Sequence, residues 1–148
     1  MAIRHKERGF TVIELLLSVA IVTMLAGLSL PIYISFQNRN NLDISTQSIA
    51  DMLRRAQVYS RSVTGDSPWG VEIQPTVATL FKGSSFAGRN TAFDETQPID
   101  NSTTISGLTE VLFTKFTAAP GTTGTITLSA TPVDTRTITI NAKGMVNY

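Results

Sequence analysis

The chain has 148 residues, 42% of them hydrophobic, with 12 basic and 11 acidic side chains, one histidine and no cysteine. That length holds one domain of moderate size, or a smaller one with an anchor. The lack of cysteine excludes disulfide frameworks, thiolate nucleophiles and cysteine–zinc sites together. A formal charge of +1 gives no general pull toward nucleic acid. The charges are unevenly spread, however: four fall in the first nine residues, and Glu14 is the single one between Gly9 and Gln37. Such placement argues against a freely soluble enzyme.

Residues 1–9 read MAIRHKERG, with Arg4, Lys6 and Arg8 against Glu7. Residues 15–34, LLLSVAIVTMLAGLSLPIYI, carry no charge. At about 1.5 Å per residue a helix of that length covers roughly the 30 Å hydrocarbon core of a bilayer. Basic residues ahead of such a run hold the N-terminus in the cytoplasm and send the rest across. A removable secretory signal fits poorly, because its apolar core is shorter and ends in a small-x-small cleavage site. An ordinary signal anchor accounts for the span but leaves Glu14 unexplained. A carboxylate costs about 2.5–3.5 kcal/mol near the bilayer centre and less toward the interface. A cut between Gly9 and Phe10 would create an amine four residues from that acid. Between staggered helices, one chain's Glu14 would meet its neighbour's amine and set the register, which is what buried ion pairs do best.

The string Gly9-Phe10-Thr11-Val12-Ile13-Glu14-Leu15-Leu16 resembles the processing site of type IV pilin precursors and pseudopilins. That family has a short basic leader ending in Gly, then Phe, an acid at the fifth mature position and an apolar helix. The resemblance implies that a prepilin peptidase cuts after Gly9 and methylates the amine of Phe10, and that Glu14 serves subunit assembly. It also implies a pilin fold and a set of partners: other pilin or pseudopilin subunits, an inner-membrane assembly platform with a separate ATPase, and the lipid bilayer before assembly. The protein would then be a single-pass inner-membrane protein with its N-terminus inside, ending in a periplasmic or extracellular filament. Gly27 and Pro31 sit late in the span, and the proline predicts a kink; in filaments of this family the corresponding stretch can unwind.

After Phe36 the chain turns polar, with Gln37-Asn38-Arg39-Asn40-Asn41. Apolar residues then recur at Leu42, Ile49, Met52, Leu53, Ala56, Tyr59 and Val63, which predicts an amphipathic helix. Gly65 and Pro68 should stop it. If continuous, residues 10–63 form a rod of roughly 80 Å. Arg54, Arg55 and Arg61 lie mostly off the apolar face and read as a solvated face or a subunit contact rather than a DNA or lipid surface.

Eighteen of the 21 threonines occur from Thr64 onward, and β-branched residues favour strands. Strict alternation at 125–129 and 137–141 predicts half-buried strands with Ile126, Leu128, Ile138 and Ile140 inward and threonines outward. A hairpin turn is expected at 132–135. Further strands are expected at 69–73, 77–82 and 111–116, with a short last one at 144–148. The expected fold is α+β: a long N-terminal helix, transmembrane then amphipathic, covered on one face by an antiparallel sheet. The domain plan is a leader at 1–9, a transmembrane and assembly helix at 10–36, an amphipathic half at 37–64 and a β-rich part at 65–148.

This layout, with Met52-Leu53-Arg54-Arg55-Ala56-Gln57 and the ending Ile138-Thr139-Ile140-Asn141-Ala142-Lys143-Gly144-Met145-Val146, is loosely similar to GspH/FimT-like minor pseudopilins. DNA-binding members of that group cluster arginines near this end, where Lys143 stands alone here; nucleic acid is accordingly not expected as a partner. The polar segment 83–107 reads as a long loop, functional or mobile, with room for a short hidden strand. Asp94, Glu95 and Asp100 are weak calcium candidates whose spacing matches no fixed loop pattern. Asn101-Ser102-Thr103 has glycosylation spacing.

The lone His5 would leave with the leader, and the mature chain would hold neither His nor Cys. That removes Ser-His-Asp and Cys-His catalysis and zinc ligation by those residues. With no phosphate loop and no paired carboxylates standing out, no catalytic residues, cofactor or resident metal are expected. Besides a plain anchored domain, which predicts an uncut N-terminus, two functional readings follow. The chain is a structural subunit of a type IV pilus-like or type II secretion-like filament, or it is a minor or tip subunit that binds DNA, a surface or a secreted protein. Loss of the leader leaves 9 basic and 10 acidic side chains, a formal −1 (12 − 3 and 11 − 1).

Overall fold

The helix begins at Val12 because Thr11 caps it. The Thr11 side chain accepts from the Glu14 amide at 3.3 Å, while the Thr11 carbonyl takes the amides of Glu14 and Leu15 at 3.1 Å each. The computed structural model describes residues 9–130 and 134–148, without the side chains of residues 28–32. The basic leader at 1–8, the centre of the expected turn at Pro132 and Val133, and the kink expected at Pro31 lie outside the described residues. Helix α1 (Val12–Arg61) is followed by β1 (Trp69–Gln74), β2 (Val77–Lys82), β3 (Glu95–Pro98), β4 (Thr103–Gly107), β5 (Glu110–Phe113), β6 (Gly124–Ala130), β7 (Asp134–Ile140) and β8 (Val146–Asn147). The chain divides into two compact units, Met1–Phe36 and Gln37–Tyr148, and α1 contributes residues to both. The protein is therefore α+β with antiparallel sheets. Among the described residues no helix is long and apolar enough to cross a membrane; residues 28–32, inside the uncharged stretch 15–34, fall outside that set.

In the second unit the strands form two four-stranded sheets, ordered β3-β2-β1-β5 and β4-β6-β7-β8. The expectation of one sheet is thereby corrected. Its cause is the segment 83–107, expected as a loop, which supplies β3 to one sheet and β4 to the other. All four β3 residues are exposed, so no alternation of apolar side chains marked it. The late hairpin follows its alternation: Ile126, Leu128, Ile138 and Ile140 are buried, and Ile126 stands opposite Ile138 across the β6–β7 ladder. Gly107 ends β4 at φ +97°, where an added Cβ would lie 2.2 Å from the Thr125 carbonyl oxygen; the close approach of the two strands requires glycine there.

Both sheets and one face of α1 share a single core. From the helix come Leu42, Ile49, Ala50, Met52, Leu53 and Ala56; from the sheets, Val71, Leu80, Val111, Phe113, Leu128 and Ile138. Ionic contacts add to the join. Arg39 meets Asp134 at 2.9 Å, and Arg136 reaches Asp43 at 2.8 Å and Asp134 at 3.3 Å.

The helix ends earlier than its apolar spacing predicts. Val63 leaves the helical face at φ 56°, a left-handed conformation that a β-branched residue rarely adopts, and Gly65 follows at φ +67°. Ser60, fully buried, holds this corner. Its carbonyl accepts from Val63 N at 3.3 Å and Phe116 N at 3.1 Å; its hydroxyl accepts from Trp69 N at 2.9 Å and donates to the Phe113 carbonyl at 3.0 Å.

One cross-strand pair works against the fold. Glu72 and Glu110 stand directly opposite on β1 and β5. Burial, and then the Glu110 charge, push the Glu72 carboxyl above its usual range, with Arg89 opposing. A raised folded pKa means that the Glu72 contribution is fully present below the unfolded pKa and is lost as pH rises through the folded one. Glu72→Gln should therefore stabilise the protein near neutral pH by up to about 1 kcal/mol, with the gain vanishing near pH 4. Urea midpoints of the full chain in mild detergent at the two pH values check this; an equal shift at both removes the charge explanation.

Candidate functional site: the N-terminal segment

Phe10, 84% exposed, and Gly9 lie in non-helical backbone immediately before the first turn of α1. A protease needs an accessible bond outside regular structure, and Gly9 and Phe10 are both exposed and precede the helix. Four residues on, Glu14 sits in the first helical turn, where the helix dipole tolerates a negative charge. The Thr11-x-x-Glu14 spacing is a capping signature that the sequence reading passed over. In that pattern the acid folds back on the cap's own amide, but Glu14 makes no such bond, and its carboxylate has no hydrogen-bond or ion-pair partner among the described residues.

The helix that follows is apolar on all sides. Val12, Ile13, Leu15, Leu16, Leu17, Val19, Ile21, Val22, Met24 and Leu25 are each more than half exposed. A helix that is hydrophobic all round needs a surrounding apolar phase, whether lipid or other helices. The hydroxyls of Ser18 and Thr23 are satisfied within it: Ser18 donates to the Glu14 carbonyl at 2.7 Å and Thr23 to the carbonyls of Val19 and Ala20 at 3.0 and 2.9 Å. Gly27, also helical and exposed, has open space around it.

Residues 4–30, spanning Gly9, Phe10, Glu14 and most of this apolar helix, match the family description "prokaryotic N-terminal methylation motif". The chain carries the prepilin signal of type IV pilins and pseudopilins. The match leaves the β-rich part uncovered, and no curated protein and no solved structure matches the chain. The prepilin motif belongs to structural proteins handled by prepilin peptidases.

Other candidates are dispersed. Asp94 is bound to Arg89 at 2.7 Å, Glu95 pairs with Arg55, and Asp100 accepts from the Ser102 amide at 2.8 Å. Among the described residues no group of three or more His, Cys, Asp or Glu could hold a metal ion. The arginines on the helix divide. Arg55 pairs with Glu95, and Arg54 binds the Val146 carbonyl at 3.3 Å beneath the Tyr148 ring, whereas Arg61 has no ion-pair partner among the described residues. Asn101 is exposed, while Thr103 of the same tripeptide is buried.

Proposed function

We propose that the chain is a subunit of a type IV pilus-like or type II secretion-like filament, stored in the inner membrane through residues 10–36 and polymerised through that helix. A prepilin peptidase removes residues 1–9 and methylates Phe10. The β-rich part then lies outside the membrane, and later on the filament exterior. The observation that carries this reading is the prepilin motif joined to a helix apolar on every side, with one acid in its first turn that has no partner among the described residues. Inside lipid or a bundle of like helices, Glu14 lacks water and needs a cation. The amine of a neighbouring Phe10 is the cation that cutting supplies.

The test is direct. Mass spectrometry of chain extracted from cells with an active prepilin peptidase should show a start at Phe10, heavier by one methyl group. An intact Met1 or Ala2 start in such cells overturns the reading.

A further inference from the structure

Among the described residues of the second unit, six large apolar side chains are exposed: Ile44, Val58, Phe93, Phe116, Met145 and Tyr148. Four of these gather around the last turns of α1. Phe116 N bonds the Ser60 carbonyl, Arg54 lies 5.0 Å from the Tyr148 ring centre, and a Cβ on Gly144 would touch Gln57 and the Ala118 carbonyl. Thus the C-terminal segment and the 114–119 loop both lie on this part of the helix, which also carries the exposed Val58. The loop is held in strained backbone, with Phe116 at φ 71° and Ala118 at φ 52°, and Phe116 is 67% exposed. Arg61 and Lys143 border this face, both exposed and neither with an acid in ion-pair range among the described residues.

The other two exposed apolar side chains line grooves that carry acids. Phe93 lies beside Asp94 and Glu95, which are already paired with Arg89 and Arg55. Ile44 lines a groove of about 390 Å³ with Asn41, Ser45, Pro98 and Asp100. Asp100 is exposed and has no cation in ion-pair range among the described residues. The chain thus offers an apolar face with two cations and a mixed groove with one acid, where Ile44, Pro98 and Ile99 sit among Asn41, Ser45, Asp100 and Asn101; none of the three charges has an ion-pair partner among the described residues. A patch that matches a different patch on the same molecule makes a head-to-tail contact, which propagates rather than closes.

We infer that the Phe116–Met145–Tyr148 face of one copy docks, through Arg61 and Lys143, on the Ile44–Asp100 groove of a second copy. This rests on the filament reading and names a contact within it. With parallel helices, the separation of Ile44 from Val58 and Arg61 along α1 sets the axial offset of the two copies at about 20–25 Å.

The absence of native cysteine gives a clean test. Full-length chains carrying Asn101→Cys and Ala142→Cys, coexpressed as single variants, leave all three charges in place. Filaments from the mixture should yield disulfide-linked dimers, and neither variant alone should. Arg61→Glu with Lys143→Glu should lower filament yield at least fivefold, with recovery on adding Asp100→Lys. Filaments without the mixed disulfide overturn the contact and leave the filament reading standing; no filaments from the unmodified chain overturn both. Retention of single-stranded DNA, lost in Arg61→Glu and without any mixed disulfide, assigns the face to nucleic acid and equally overturns the proposal.

Discussion

Glu14→Ala should leave cutting and methylation intact while incorporation into filaments falls by tenfold or more. The peptide bond that is cut precedes the helix, and its local geometry depends on Gly9, Phe10 and the Thr11 cap rather than on the Glu14 carboxylate. Losing that carboxylate removes a charge with no partner among the described residues, so the helix gives up only a small dipole interaction, while its solubility in lipid improves. What disappears is the acid that a neighbour's new amine would meet. An unpaired ammonium in an apolar bundle is then the penalty at every contact, and a tenfold loss needs only about 1.4 kcal/mol per subunit added. Mature chain in the membrane against chain in sheared filaments measures it. Normal filament yield from Glu14→Ala would remove the register role; uncut chain would point instead to peptidase recognition. Glu14→Gln, which keeps the shape without the charge, should behave like Glu14→Ala.

Ser60→Ala is expected to be the most damaging single-atom deletion in the β-rich unit, costing about 2–4 kcal/mol, or a fall in Tm of roughly 10 °C. Ser60 is fully buried, and its hydroxyl joins the end of α1 to the first residue of β1 and the last of β5. Removing it leaves the Trp69 amide and the Phe113 carbonyl without that partner in a place where water does not reach. A left-handed Val63 is already held there against its preference, so the corner has little slack. Thermal unfolding of wild type and variant in the same detergent tests the figure. A loss under 0.5 kcal/mol would mean the backbone closes up without the hydroxyl.

The two variants fall on opposite sides of what could be read beforehand. The N-terminal motif was legible because it is local: Gly9, Phe10, Glu14 and the apolar run lie within one short stretch of sequence. The β6–β7 hairpin was legible for a related reason, since alternation at Ile126, Leu128, Ile138 and Ile140 announces a sheet with one buried face. Strands β3 and β4 were not, because β3 buries nothing and β4 little beyond Thr103; their pairing is decided by partners distant in sequence. Ser60 gave no signal at all, being one of three small hydroxyl residues, with Ser45 and Thr46, that α1 buries among its apolar side chains. The early helix stop at Val63 was hidden likewise, since a β-branched residue signals continuation or strand rather than a left-handed turn. The Thr11 cap was there to be read.

Ser18 and Thr23 close their hydroxyls on carbonyls of the same helix. Withdrawn from lipid into a bundle, or returned, such a segment changes its surroundings without exchanging one of those bonds, so traffic in either direction is equally easy for them. Reversibility would then be built into the stem of the subunit, and the direction of travel set by the machinery that extracts it. On the proposed reading, a filament made of such stems would return its subunits to the membrane with those hydroxyl bonds unbroken.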